Sequence, residues 1–272
     1  MDSKEKKPLS KNFNIFWAEK GLESDSNRIK RFVNIALVAL ILAAVLAYSF
    51  SKLNYSMRPE TIYEYRYKFY TGFVMTVVIS FFSLILSLGI GTFFAFARKS
   101  KFLPLHYLSK FYVEIIRGTP LLVQIYVFFY IVATAFSLEN RYVLGILILS
   151  IFSGAYVTEI IRAGVESIEK SQIETARSLG FTPYQRYKFI IIPQVVRRIM
   201  PPLAGQFASL VKDSSLLSVI AVSEFTKNVQ EVDSINFASI ENYMALAIGY
   251  IILTFPISII SKKLERKFYY ES

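Results

Sequence analysis

The sequence lacks the residues on which several kinds of site depend. It contains no cysteine and a single histidine, His106. The absence of thiols excludes disulfides and cysteine-ligated metal sites, and His106 has no second histidine near it to share a metal ion. We therefore predict no metal site and interpret His106 as an ordinary surface residue.

A nucleotide-binding loop is also missing. The phosphate-binding loop of chains that use ATP directly has the pattern G-x-x-x-x-G-K-[ST], and none of the 11 glycines here is followed by lysine. We predict no catalytic residue and no cofactor bound by this chain. The energy for any work it does must come from a partner subunit that binds ATP or from an ion gradient.

Long apolar runs dominate what the sequence does contain. Hydrophobic residues make up 54% of the chain, and they are gathered into runs near the roughly 20 residues that a membrane-spanning helix needs. Six runs qualify, at 32–50, 70–97, 119–136, 143–161, 201–222 and 243–261. The run at 201–222 is the weakest, because Lys212 and Asp213 lie in its middle. The predicted fold class is an all-α integral membrane protein, a bundle of six transmembrane helices.

The placement of the net charge of +11 favours a membrane protein over a nucleic-acid-binding protein. If the N-terminus is cytoplasmic and the chain crosses the membrane six times, about 24 of the 31 Lys and Arg residues fall on the cytoplasmic side. The last outer loop, 223–242, is acidic through Glu224, Glu231, Asp233 and Glu241. This bias predicts that both termini are cytoplasmic and that the chain has no nucleic-acid partner.

A polar segment between two apolar runs, ETARSLGFTPYQRYKFIIIP at 174–193, has the pattern of a helix followed by a turn. From 165 to 179 the apolar residues fall near helical spacing, and the opposite face is charged. Gly180 can adopt the left-handed conformation that ends a helix, and Pro183 prevents the helix from resuming at once. We predict a short amphipathic helix on the cytoplasmic face that contacts another protein.

This segment resembles the cytoplasmic coupling loop of ABC-transporter permeases, whose pattern is E-A-A, three residues, G, nine residues, I, any residue, L-P. Five residues match at the right spacing, namely Glu174, Ala176, Gly180, Ile190 and Pro193. Thr175 replaces the middle alanine and Ile192 replaces the leucine. The resemblance implies that the five matching residues, with Thr175 and Arg177, couple the chain to an ATPase.

A second resemblance extends from about Tyr70 to Lys267. Four stretches look like the polar-amino-acid branch of these permeases: YVEIIRGTPLLVQIYVFFY (112–130), GAYVTEIIRAGVESI (154–168), the segment 191–222 and KKLERK (262–267). That branch takes up amino acids such as histidine, arginine, glutamine and glutamate. The resemblance implies the type I importer fold, cytoplasmic ATP-binding subunits, an extracytoplasmic amino-acid-binding protein and a second permease chain, identical or related. Gly205 departs from the family, which usually has asparagine there.

The resemblance also implies a domain organisation in the bacterial cytoplasmic (inner) membrane, crossed several times. Only the permease domain at 70–267, with its coupling loop at 164–200, comes from the resemblance. The apolar runs and the charge bias predict a cytoplasmic tail at 1–31, an extra transmembrane helix at 32–53 outside the family's usual five-span core, an outer loop at 54–69 and a C-terminal tail at 268–272. The first apolar run lacks an A-x-A cleavage site before Tyr48, which favours an uncleaved span over a signal peptide.

Charged residues inside the predicted spans are candidates for a substrate pathway, because intramembrane charge usually faces a cavity or a partner. Glu159 and Arg162 share one helix face. They form either a local pair or a carboxylate site for a cationic amino acid. Lys212 and Asp213, followed by Ser214, either pair with charges on another helix or line a gate.

Two functions from other classes stay open at this point. An ion-coupled secondary carrier needs ionisable groups clustered at the membrane midplane, for which Glu159 and the Lys212–Asp213 pair give weak support. A membrane scaffold without transport activity would show no substrate-dependent change when Glu174 or Gly180 is replaced.

Overall fold

The computed structural model describes residues 28–52 and 55–269, and every regular element within these ranges is helical. The α-helices are α1 (Arg28–Lys52), α2 (Glu60–Glu64), α3 (Arg66–Ala97), α4 (Leu103–Gly118), α5 (Leu121–Val127), α6 (Arg141–Glu166), α7 (Lys170–Ser178), α8 (Pro183–Arg186), α9 (Ile192–Asp213), α10 (Phe225–Asn236) and α11 (Ser239–Tyr269). Two π-helical turns, Phe128–Ala133 and Tyr187–Ile191, and a 3-10 helix, Ser214–Ile220, lie between them.

The chain divides into two compact units, Met1–Met57 and Arg58–Ser272. In the first unit, α1 coincides with the extra transmembrane helix predicted at 32–53, although it begins earlier, at Arg28, and ends at Lys52. Most of the predicted tail at 1–31 lies outside the described residues, as do Leu53, Asn54 and the last three residues of the C-terminal tail.

Four described helices are long and apolar enough to cross a membrane, and their bounds are Ile29–Lys52, Arg66–Ala97, Arg141–Glu166 and Ser239–Lys267. A fifth span results if α4 and the helix Leu121–Ala133, bent by 112° at their junction, count as one. The predicted count of six is not confirmed, because the run at 201–222 is not among them. That run is divided between α9, which contains the charges of Arg197, Arg198, Lys212 and Asp213, and the 3-10 helix.

Helices α3 and α6 form the most extensive helix pair of the second unit. They run parallel, because the contacts advance in the same direction along both: Ser83 Oγ donates to Ile146 O at 3.3 Å, and Thr158 Oγ1 donates to Gly91 O at 3.2 Å. Gly91 allows the closest approach, since a Cβ there would lie 2.4 Å from Val157 Cγ1. Small residues at such crossings let helix backbones meet within the membrane.

Apolar side chains from several elements meet on the α3–α6 pair. The largest buried cluster joins α3, α5, α6 and the 3-10 helix through Ile79, Ile125, Ile148, Leu149 and Leu217. Helix α9 packs against both α6 and α11, and Ile199 of α9 fills the space beside Gly164 of α6. These contacts place the segment between α6 and α9 at one end of the bundle.

The break between α4 and α5 has a local cause. Thr119 is extended, as residues before a proline tend to be, with φ −121° and ψ 145° ahead of Pro120. Gln124 then donates through Nε2 to Ile116 O at 2.7 Å and to Thr119 Oγ1 at 2.8 Å, which satisfies a carbonyl that α4 leaves free.

At the other end of α4, His106 is half-buried with Nδ1 2.7 Å from a backbone oxygen of Arg98, just after α3. It is therefore partly exposed, and its ring is held by this contact.

Replacing Gly91 by alanine tests the α3–α6 contact. The added methyl group would meet Val157 and lie 3.0 Å from Gly154 O. Because this oxygen is a backbone atom, it cannot move without displacing α6. We expect Gly91→Ala to lower the free energy of unfolding by about 1–3 kcal/mol. The control is Gly89→Ala, whose Cβ would meet nothing within 4 Å, and which we expect to be neutral or stabilising by up to about 1 kcal/mol. Thermal unfolding of the purified full chain in detergent measures both; equal midpoints would contradict the contact.

Candidate functional site

Helix α7 ends in a Schellman motif that depends on Gly180. This residue has φ +79°, in the left-handed region that glycine adopts without steric cost. Its N–H donates to Arg177 O at 3.0 Å, and the N–H of Phe181 donates to Ala176 O at 3.0 Å. The two bonds satisfy carbonyls that the end of a helix would otherwise leave free. The prediction that Gly180 ends the helix is confirmed.

The turn after Gly180 is also fixed by hydrogen bonds. Thr182 and Gln185 form a capping box, in which Thr182 N donates to Gln185 Oε1 at 2.8 Å and Gln185 N donates to Thr182 Oγ1 at 3.3 Å. Pro183 occupies the first position of α8, where a missing N–H has no cost. The chain direction between α7 and α9 is therefore set by this capping box and by Pro183.

One face of α7 is packed against the ends of α6 and α9. Ala176 is buried, and a nearby apolar cluster consists of Val165, Ile168, Ile173, Ile191, Val195 and Ile199. Gln194 Nε2 donates to Gln172 Oε1 at 2.8 Å, and the Arg198 guanidinium donates to Ser167 O. The first bond ties α7 to α9, and the second joins α9 to the end of α6.

The start of α7 differs from the prediction. The apolar pattern suggested one helix from 165 to 179, whereas α6 continues to Glu166 and α7 begins only at Lys170. Ser167 Oγ donates to Gly164 O at 2.8 Å and closes the last turn of α6. Ile168 then turns into the apolar cluster, so the spacing that looked helical comes from two elements sharing one core.

The opposite face of α7 is open. Glu174, Thr175 and Arg177 are exposed, as is Pro193 in the first turn of α9. Beside them is a shallow, mainly apolar depression lined by Ser171, Gln172, Thr175, Ala176, Leu179, Phe181 and Ile190. The structure thus brings Thr175, Ala176 and Ile190 together. Gln172, Leu179 and Phe181 were missed, although the spacing of the first two from Ala176 is helical.

The carboxylate of Glu159 is shared between two arginines. Arg162 donates through Nε to Oε1 at 3.0 Å and through Nη2 to Oε2 at 2.8 Å. Arg117, at the last turn of α4, lies 3.3 Å from the same Oε2. Arg162 also pairs with Glu166 at 2.5 Å. The predicted Glu159–Arg162 pair is confirmed, and Arg117 extends it to a second helix.

The structure does not bring Lys212 and Asp213 to charges on another helix. Among the residues that the structure describes, neither forms an ion pair. Lys212 is exposed and Asp213 is half-buried. Ser214 is buried, and its hydroxyl donates to Val211 O at 2.8 Å, in the last turn of α9.

Glu224 is a buried residue that the sequence suggested only as part of an acidic loop. It precedes α10, outside the candidate spans, and its carboxylate accepts from the backbone N–H groups of Thr226 at 2.9 Å and Lys227 at 2.7 Å. Tyr250 of α11 donates to it at 3.0 Å, and Thr76 of α3 lies 3.5 Å away. Burial raises the pKa of Glu224 to about 7. One carboxyl group thus contacts three helices. The sequence feature that could have indicated this role is a carboxylate at the helix-capping position just before FTKNV.

The comparisons with known proteins identify the family. The family described as binding-protein-dependent transport system inner membrane component matches residues 87–269. The chain belongs to this family. As a member of this family, it is a multi-pass membrane transport subunit and not an enzyme.

Two curated relatives show how far the similarity of this transport subunit extends. It is 37% identical over 201 residues to the probable glutamine ABC transporter permease protein GlnM of Bacillus subtilis (strain 168), covering 72% of this chain and 93% of GlnM. It is 35% identical over 198 residues to the glutamine transport system permease protein GlnP of Escherichia coli (strain K12), covering 72% of this chain and 90% of GlnP.

Two solved structures resemble this transport subunit. The crystal structure of an amino acid ABC transporter with histidines has a TM-score of 0.73 and 32% identity, covering 78% of this chain and 100% of the other. The MetNI methionine ABC transporter in an inward-facing conformation, at TM-score 0.60 and 16% identity, covers 78% of this chain and 99% of the other and shares the fold alone.

The buried Glu224 carboxyl predicts a pH dependence of stability. Its pKa rises from an ordinary 4.5 to about 7 on folding. Its protonated form therefore contributes stability that is fully present below pH 4.5 and is lost as the pH rises to about 7. We expect Glu224→Gln to flatten the decline of the melting temperature over this range, relative to the unmodified chain.

The matched control for Glu224→Gln is Glu231→Gln. Glu231 lies on α10, is partly exposed and pairs with Lys68 at 2.6 Å. We expect this variant to keep the decline with pH. The measurement is thermal unfolding in detergent at several pH values; an unchanged slope in Glu224→Gln would show that another group is responsible.

Proposed function

We propose that this chain is the membrane-spanning permease subunit of an ATP-binding-cassette importer that moves polar amino acids across the bacterial cytoplasmic (inner) membrane. Membership of the family supports the transport role. Amino acids as the substrate class are supported by relatives named for glutamine and L-cystine transport and by the likeness to an amino acid ABC transporter. The chain itself binds no cofactor in this proposal, because ATP is bound and hydrolysed by a partner.

The open face of α7 is the observation on which the proposed coupling rests. It presents Glu174, Thr175 and Arg177 beside an apolar depression. Backbone hydrogen bonds fix the end of the helix, and the side chains of a capping box fix the turn after it. A short helix held in this way transmits force without bending. We infer that cytoplasmic ATP-binding subunits dock on α7 and that Glu174, Thr175, Ala176, Arg177, Gly180, Ile190 and Pro193 form or support this contact.

A second permease chain, identical or related, completes the proposed pathway. Helix α9 supports this, because it is amphipathic within a membrane protein and exposes Gly205 and Lys212. We place Lys212, Asp213 and Ser214 at the gate of the pathway. Glu159 and Arg162 lie toward its cytoplasmic end, where Arg117 already neutralises part of the carboxylate charge, so this site is less suited to hold a cationic amino acid than the sequence suggested.

The charge distribution supports the proposed orientation. Lys and Arg residues concentrate in the tails and in the loops on the α7 side, which supports a cytoplasmic location for both termini and α7. An extracytoplasmic amino-acid-binding protein would then deliver substrate to the opposite loops. Closure of the ATP-binding subunits would move the two α7 helices together and open the pathway outward, and ATP hydrolysis would return it to the inward-facing state.

Co-purification from native membranes tests the proposed assembly. We expect an ATP-binding subunit to be recovered with this chain, and its ATPase activity in liposomes to rise when an amino-acid-loaded binding protein is added. Recovery of the chain alone, with uptake that follows an imposed ion gradient, would contradict the proposal and favour a secondary carrier.

Gly180→Val tests the coupling role of α7. A β-branched residue in the left-handed conformation costs roughly 1–2 kcal/mol, so the helix end should be displaced while the membrane bundle remains inserted. We expect uptake to fall by roughly five- to thirtyfold, since about 1.4 kcal/mol corresponds to a factor of ten, with ATP hydrolysis continuing.

Gly180→Asn is the control for this change, because asparagine tolerates the left-handed conformation better than any β-branched residue does. We expect this variant to retain most of the uptake. Normal uptake by Gly180→Val, or equal losses in the two variants, would count against a coupling role for this helix end.

A further inference from the structure

Helix α4 is tied at its middle and at its C-terminal end to the same end of two spanning helices. Near its middle, Ser109 Oγ donates to Phe94 O at 2.8 Å, in the last turn of α3. At its finish, Arg117 lies 3.3 Å from Glu159, about two turns before the end of α6. Because α3 and α6 run parallel, these two ends lie on one side of the membrane. These two contacts hold the second half of α4 near that side of the membrane.

The two faces of α4 have different surroundings. The inner face buries Val113 and Ile116, and Tyr112 donates to Ile151 O of α6 at 2.6 Å. The outer face is an apolar stripe with side chains 51–63% exposed, formed by Leu103, Tyr107, Leu108, Phe111 and Ile115. A helix that lies in a membrane interface combines an anchored or polar face with such a stripe.

Cations flank this apolar stripe. Lys99 and Lys101 are exposed just before α4, and within the described residues neither forms an ion pair. From 98 to 118 the chain has five Lys and Arg residues and one acidic residue, Glu114. An excess of positive charge beside an apolar stripe complements a layer of lipid phosphates.

We propose that α4 is an interfacial helix whose apolar stripe lies at the boundary between acyl chains and head groups, and that Lys99 and Lys101 bind anionic phospholipid head groups. The proposal goes beyond the transport function, which concerns α7 and the pathway. The 112° bend before the next helix agrees with it, since the chain turns there from the membrane plane into the bilayer.

Spin labelling measures the depth of α4 directly, and the absence of native cysteine allows single labels without background. Leu103→Cys, Tyr107→Cys, Phe111→Cys and Ile115→Cys would be labelled in the full chain, in liposomes of phosphatidylcholine and phosphatidylglycerol. We expect similar shallow depths at all four positions, with greater accessibility to oxygen than to a water-soluble nickel chelate. A depth change of about 18 Å along the four sites, as in a spanning helix, would overturn the proposal. Protection from both reagents, as beneath a protein partner, would do so too.

Lipid retention tests the role of the two lysines. Native mass spectrometry of the full chain would compare bound phosphatidylglycerol with bound phosphatidylcholine. We expect the double variant Lys99→Gln, Lys101→Gln to lose phosphatidylglycerol affinity on the order of tenfold, with phosphatidylcholine binding unchanged. The control pair is Lys262→Gln, Lys263→Gln, exposed near the end of α11. Unchanged retention, or equal loss in both double variants, would contradict the proposal. Neither readout requires transport activity.

Discussion

The close parallel contact between α3 and α6 is the constraint on which the second unit depends. In lipid the hydrophobic effect does not drive helices together, so close packing at small residues must provide the driving force for association. Gly91, Gly154 and Val157 provide the approach at the centre of this contact. From this pair, α6 continues toward α7, α9 packs beside Gly164, and α4 is tied to the shared end of both helices. A shift at the α3–α6 contact would move all of these elements together.

Helix α7 and the turn after it show how a short polar helix is kept rigid at the edge of a membrane protein. An isolated helix as short as α7 is not stable in water. Here the Schellman motif at Gly180, the capping box at Thr182 and the buried side chain of Ala176 replace the missing stability. The result is an open polar face on a fixed support. That combination is what transmission of motion between a membrane bundle and a docked protein requires.

Local chemistry explains which parts of this account the sequence could predict. The helices α1, α3, α6 and α11 are evident from apolar runs alone, and the end of α7 from Gly180, because each depends on residues close in sequence. The division of 165–179 into two elements, the orientation of α4 and the burial of Glu224 could not be predicted. They depend on partners far along the chain, such as Thr76 and Tyr250 around Glu224.

Site-specific cross-linking from α7 tests the central claim, that its open face binds the ATP-binding subunits. Thr175→Cys, in a chain without other cysteines, would be labelled with a photoreactive maleimide in native membranes. The control is Gln230→Cys, exposed on α10 at the opposite, outer side of the proposed topology. The account predicts a covalent adduct with an ATP-binding subunit from Thr175→Cys and none from Gln230→Cys. An adduct with that subunit from position 230, or its absence from position 175 while ATP-driven uptake persists, would contradict the account.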